Sequence, residues 1–265
     1  MPTLNSPGES AEPHRHREMA ESFGVDAELY DRARPRYPAE LVRRVVAASP
    51  GPDVLDVGIG TGIVARQFRE AGCRVLGVDA DARMAERARR DGLEVEVAAF
   101  ERWEPAGRRF DAVVAGQTWH WVDPVAGAEK AAAVLRPGGR LAVFWNAADP
   151  PPEVAAGLAD VYRELMPELP PAAAGATGAA AYAAGAGRTA ATLRGTGLFA
   201  EPEQWRFDWE QDYTAAQWLD HLRTSGALTR LPADRVPTVL ATAGAALPGR
   251  FTVRYATVVA TAAVW

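Results

Sequence analysis

Short apolar runs and amphipathic stretches alternate along most of the chain. Residues 54–57, 74–78, 93–98, 110–115 and 139–145 are apolar segments of strand length, bounded by turn-forming residues. Between them, residues 62–71, 82–91 and 126–135 repeat apolar positions at helical spacing, and Pro137-Gly138-Gly139 stops the last of these. Strands that are apolar along their whole length belong to a parallel sheet covered by helices on both faces. Further on, Trp205, Phe207 and Trp209 alternate with polar residues and predict a half-buried strand over 204–210. Helices at 215–224 and 235–246 follow, and 251–264 predicts a long closing strand. The expected fold is α/β, a three-layer sandwich on a mostly parallel seven-stranded sheet. Ligands of such sheets gather at the carboxyl ends of the strands, near the switch point.

Two stretches break this rhythm. Residues 1–18 are polar and predict no packed element; 18–29 predicts an amphipathic helix, which Tyr30–Pro38 interrupts with two prolines before a helix resumes over 39–48. Residues 147–196 cluster prolines at 150–152, 167, 170 and 171 and then run through Ala, Gly and Thr from 172 to 191. That composition predicts a helical insertion with a low-complexity middle, and a lid over a site is compatible with it. The chain thus divides into an N-terminal segment (1–45), a strand–helix core (46–146), the insertion (147–200) and a C-terminal part completing the sheet (201–265).

Composition narrows the function classes. The net charge of −5 gives no general attraction for nucleic acid or anionic membranes. No apolar run reaches membrane-spanning length and the first residues lack a signal-like apolar stretch, so a cytoplasmic protein is expected. Cys73 is the single cysteine, which excludes an intramolecular disulfide and a multi-cysteine metal site, and no metal is expected. Lys130 is the only lysine, a compositional bias with no functional reading.

The strongest local signal is Asp53-Val54-Leu55-Asp56-Val57-Gly58-Ile59-Gly60-Thr61-Gly62. Glycines directly after a strand let the backbone turn sharply and approach a ligand. A dinucleotide fingerprint would place its third glycine at position 63, which is Ile. Asp56 at the strand's end suits a cationic amino-acid group better than a pyrophosphate. Asp79 ends the next strand, where an acid can hydrogen-bond ribose hydroxyls.

These residues, with Phe110-Asp111-Ala112-Val113 and Leu135-Arg136-Pro137-Gly138-Gly139, resemble the successive motifs of class I S-adenosylmethionine-dependent methyltransferases. Tyr30-x-x-x-Arg34-Pro35-x-Tyr37-Pro38 and Gln117-Thr118-Trp119-His120-Trp121-Val122-Asp123 are similar to a small-molecule subgroup that includes trans-aconitate-type enzymes. The resemblance implies a Rossmann-like core with helical N-terminal and lid segments. It places S-adenosyl-L-methionine on Asp56, Gly58, Gly60, Gly62 and Ala80, its ribose on Asp79, and its adenine near Phe100 and Glu101. Tyr30, Arg34, Tyr37 and Gln117 would cover it. Relatives often carry Asp-Ala where Ala98-Ala99 stand, so the adenine contact is displaced.

Methyl transfer is an in-line displacement that needs alignment and desolvation, and a base only where the accepting atom must lose a proton. His120 is the candidate base, or equally a loop histidine held by packing. Trp119, Trp121, Trp145 and His221 are the candidate substrate contacts, and the tryptophans of this region suggest a small, partly hydrophobic acceptor. Cyclisation, a nicotinamide dehydrogenase, a nucleic-acid methyltransferase and a non-catalytic cofactor-binding protein are the competing readings. Ile63 argues against the dehydrogenase, and Gly116-Gln117-Thr118-Trp119 replaces the Pro-Pro-aromatic element of amino-group nucleic-acid enzymes. The expected partner is a small molecule, with homo-oligomerisation left open.

Overall fold

The computed structural model describes residues 22–168 and 178–265. The core alternates as its apolar periodicity requires: β1 (Asp53–Val57), α3 (Ile63–Glu70), β2 (Arg74–Asp79), α4 (Ala82–Arg90), β3 (Glu94–Val97), β4 (Phe110–Gly116), α5 (Pro124–Val134) and β5 (Leu135–Asp149). Two N-terminal helices, α1 (Ala27–Ala33) and α2 (Ala39–Ala47), precede it. After it come α6 (Pro152–Leu165), α7 (Ala179–Thr196), β6 (Glu203–Thr214), α8 (Ala215–Arg223), α9 (Val236–Ala246) and β7 (Arg250–Ala263).

The seven strands form one sheet in the order β3-β2-β1-β4-β5-β7-β6. β1 to β5 pair in parallel, and β7 is antiparallel to both β5 and β6. The order reverses between β1 and β4, which makes the carboxyl ends of those strands the switch point. Strand alternation sorts the core into two layers. Leu55, Val57, Val113, Leu141, Val143 and Trp145 face one layer; Val54, Ala112, Val114, Ala142 and Phe144 face Phe68 of α3 and Leu41 and Val45 of α2.

The N-terminal reading is corrected. Within the described residues the chain makes a 3₁₀ turn at Ser22–Asp26 and then α1, so Tyr30 to Ala33 lie inside a helix instead of breaking one. Asp26 caps α1 by accepting from the Leu29 amide at 2.9 Å, and the helix stops at Arg34, which precedes Pro35 and is extended (ψ 138°). The expectation for residues 1–18 lies outside the described residues.

The 147–200 stretch separates into two different pieces, with 169–177 outside the described residues. α6 packs on α9, and its Val154, Leu158, Val161 and Tyr162 join Trp218, Leu222 and Val239 in a third apolar cluster. α7 instead lies on the sheet, packed against β7, β5 and α5, with Ala186 and Leu193 inside the main core. The second half of the expected insertion is therefore a layer helix of the sandwich.

Candidate functional site

A cavity of about 630 Å³ opens at the carboxyl ends of β1, β2 and β4. Its floor at the switch point is the glycine turn. Gly58 has φ +66°, and a Cβ there would sit 2.0 Å from Thr118 Cγ2, so a side chain fails on both backbone conformation and space. At Gly60 the situation is reversed: the nearest atom to an added Cβ is Met84 Cε at 3.7 Å, because this residue borders the cavity. Thr118 Oγ1 bonds the Gly58 carbonyl at 3.2 Å and ties the turn to the end of β4.

Asp79 stands at the end of β2 on the cavity wall. Its carboxylate accepts the Gly60 amide at 2.7 Å and the Asp81 amide at 2.8 Å, which joins the glycine turn to the start of α4. Burial raises its pKa to about 6, against the lowering effect of these backbone amides. Ala80, Phe100, Glu101 and Gln117 share the wall, as do Tyr30, Arg34 and Tyr37 from the N-terminal segment. Glu101 is also a loop brace, since it accepts the Asp123 amide at 3.0 Å. Gln117 holds φ +55°, and its side-chain amide donates to the Asn146 carbonyl at 3.1 Å. Tyr37 is set by a two-way bond with Gln67 of α3 (3.0 and 2.8 Å).

Asp56 and Gly62 are not on the wall. Strand alternation turns Asp56 toward the α3 side of the sheet; it is 1 % exposed, and neither carboxylate oxygen has a hydrogen bond of ordinary geometry among the described residues. Burial, and secondarily the Asp79 carboxylate, hold its pKa well above the usual range, with the Ala65 amide opposing. Gly62 is needed because it begins α3 at φ +90° and a Cβ would meet Leu93 Cδ1 at 2.3 Å. Its role is packing.

The substrate-side residues divide similarly. Trp121 and His221 line the cavity. Trp119 (3 % exposed) and Trp145 (5 %) belong to the main core and do not, because their strand and turn positions face the α5–α7 layer. Trp145 acts at one remove, donating Nε1–H to His120 Nδ1 at 3.3 Å. Of the other tryptophans, Trp218 reaches the wall; Trp205 packs beneath Arg44 and Arg140, and Trp209 stacks on Tyr255 at 4.4 Å.

His120 opens on the cavity beside Trp121. Desolvation by the protein around it pulls its pKa down to about 4. Its Nδ1 lone pair already serves Trp145, so in the neutral ring the proton sits on Nε2. That geometry makes His120 a hydrogen-bond donor toward the cavity and counts against a general base. Sequence reasoning missed Tyr162, Tyr182 and Tyr255, which also line the wall. They lie on the helices and strand that close over the cavity from distant parts of the chain, and no local motif marks them. Among the described residues no group of three His, Cys, Asp or Glu could hold a metal ion, and no helix is long and apolar enough to cross a membrane.

Comparison with known proteins agrees with this geometry. Residues 54–139 match the family model described as a methyltransferase domain. An uncharacterized methyltransferase of Mycobacterium tuberculosis is 39% identical over 136 residues, 50% of this chain and 55% of that protein. A malonyl-(acyl-carrier protein) O-methyltransferase of Enterobacter lignolyticus is 35% identical over 140 residues, 48% of this chain and 56% of that one. The chain thus spans little more than half the length of these curated relatives. A solved structure from Anaeromyxobacter dehalogenans, provisionally named a type II methyltransferase, superposes with TM-score 0.60 at 24% identity, covering 87% of this chain and 97% of that one. The seven-stranded order and the glycine turn at its switch point agree with the match of residues 54–139 to a methyltransferase domain.

Proposed function

We propose that the protein binds S-adenosyl-L-methionine in this cavity and transfers its methyl group to a small, partly hydrophobic acceptor. The observation that carries the reading is the Gly58–Gly60 turn at the switch point, with the Asp79 carboxylate beside it and open space over Gly60. A side chain at Gly60 would project into the volume that the turn leaves free, so the backbone itself forms part of the cradle. When bound, the cofactor supplies an electrophilic methyl on a sulfonium.

This chain's residues then bind, orient and exclude water. Asp79 accepts from the ribose hydroxyls through lone pairs left after its two amide bonds. Phe100 and Ala80 flank the adenine end, while Tyr30, Arg34, Tyr37 and Gln117 close over the methionine end. Apolar walls from Leu158, Trp218 and Leu222 exclude water from the displacement, which alignment and desolvation accelerate. Asp56 and Gly62 support this site by shaping the β1–α3 turn. The small-molecule reading is supported by a cavity of about 630 Å³ at the strand ends and the net charge of −5. Cyclisation has no observation in its favour.

Calorimetry with S-adenosylhomocysteine and with NAD tests the reading. Tight binding of the first and none of the second is expected; the opposite pattern overturns it.

A further inference from the structure

Two histidines open on the cavity, and their surroundings set them with opposite polarity. At His120, Nδ1 faces Trp145 Nε1 at 3.3 Å. An indole N–H only donates, so Nδ1 accepts and the proton of the neutral ring sits on Nε2. At His221, Nδ1 faces the Ala33 carbonyl oxygen at 3.4 Å. A carbonyl only accepts, so here Nδ1 carries the proton and Nε2 keeps its lone pair.

Both rings are braced by an indole. His120 leans on Trp121 at 4.7 Å between centroids, and His221 stacks on Trp218 at 4.9 Å and 17°. Both are predominantly neutral near pH 7: the protein around the His120 ring pulls it to about 4, and burial pulls His221 to about 3, the Arg34 cation adding to the second. His221 lines the cavity; with Nδ1 turned to the Ala33 carbonyl and Nε2 not among the buried side-chain atoms left without a partner, Nε2 is the ring's polar atom available to the cavity.

We propose that this pair reads the methyl acceptor: His221 Nε2 takes a hydrogen bond from a protic group, O–H or N–H, and His120 Nε2–H gives one to an oxygen on the same molecule. The inference rests on the methyl-transfer reading and deepens it by naming a substrate class. The acceptor is an uncharged molecule with a protic group and a carbonyl or ether oxygen on an apolar body, seated against Trp121, Leu158, Tyr162, Trp218 and Leu222. A carboxylate placed at His221 would set lone pair against lone pair. Arg34 beside His221 opposes an imidazolium there, so His221 orients the protic group instead of removing its proton.

The test uses protein saturated with S-adenosylhomocysteine. Nitrogen-15 NMR of the ring atoms is expected to show His120 as the Nε2–H tautomer and His221 as the Nδ1–H tautomer; either one reversed overturns the proposal. Calorimetry then compares hydroxyaryl ketones of varied hydroxyl-to-carbonyl spacing with their O-methyl ethers. At least one ketone is expected to bind about tenfold more tightly than its ether, the effect of one hydrogen bond to an otherwise unpaired group. His221→Asn keeps an N–H for Ala33 but has no atom at Nε2, and should shrink that preference below about threefold; His221→Gln restores an acceptor and should recover it. No binding by any ketone, an ether that binds as well as its ketone, or a preference that survives in His221→Asn each overturns the proposal. S-adenosylhomocysteine binding, measured in parallel, separates the two ideas. Its absence from the wild-type protein refutes the methyl-transfer reading, whereas binding without discrimination refutes only the histidine pair.

Discussion

At the scale of single residues, Asp79 and His120 are the groups whose protonation decides behaviour. Asp79 has its pKa raised to about 6 by burial, and ribose hydroxyls need the carboxylate as acceptor. Lowering the pH through 6 protonates it, so S-adenosylhomocysteine affinity should be full above about pH 7 and fall progressively below 6. Isothermal titration from pH 5 to 8 checks this, and in Asp79→Asn the pH dependence should vanish with affinity low throughout. A wild-type affinity that is flat across this range would show that the carboxylate does not touch the ligand. His120 has its Nδ1 lone pair engaged by Trp145. His120→Gln, which can still present an N–H to the cavity but cannot act as a base, should keep kcat within about tenfold of wild type. A fall of roughly 10²- to 10⁴-fold with normal cofactor binding would identify a general base instead.

At the scale of elements, α1 is held over the cavity by charge. Asp31 meets Arg66 of α3 at 2.5 Å and Arg87 of α4 at 3.0 Å; Glu28 meets Arg87 and Arg90, each at 2.9 Å. Asp91 completes the network with Arg66 and Arg87. The Asp31 and Arg66 side chains are only 16% and 17% exposed, so solvent screens this pair less than a surface one. Asp31→Asn should loosen α1, costing on the order of 1 kcal/mol, or about fivefold in S-adenosylhomocysteine affinity, mainly as faster release. Stopped-flow dissociation measures it. Unchanged release would mean that α1 does not cover the ligand.

At the scale of the whole molecule, one cavity is built by two distant halves of the chain. The glycine turn and Asp79 come from the parallel core, whereas Tyr162, Trp218, His221, Ser225 and Tyr255 come from the elements after β5. α8 packs on α1, α9 and β6, so the N-terminal helix joins the halves. Adding S-adenosylhomocysteine should therefore slow amide exchange at the glycine turn, α1 and α8 together. Protection confined to the core would show that the later elements do not close on the cofactor.

The strands, the helices between them and the β1–α3 turn were legible in the chain, because apolar periodicity and glycine placement are local properties. The boundaries of β1, β2, β4, β6 and β7 lie within a few residues of the periodic segments. What the chain could not show is which side of a strand or helix meets the cavity. Asp56 is one residue from Val57, which lines the wall, yet alternation buries it beneath the turn; Trp145 is core while Trp218 is wall. The second half of the Ala-Gly-Thr stretch read as an insertion because small residues carry almost no amphipathic signal, and only packing against β7 and α5 makes α7 a layer of the sandwich. The tautomers of His120 and His221 likewise follow from partners at Trp145 and Ala33, one 25 and the other 188 residues away. Local sequence determined the frame and the turn that can cradle a ligand. Tertiary contact alone decided which side chains face it and with what polarity, since a hydrogen-bond partner brought from elsewhere in the chain leaves no trace in the residues around the one it orients.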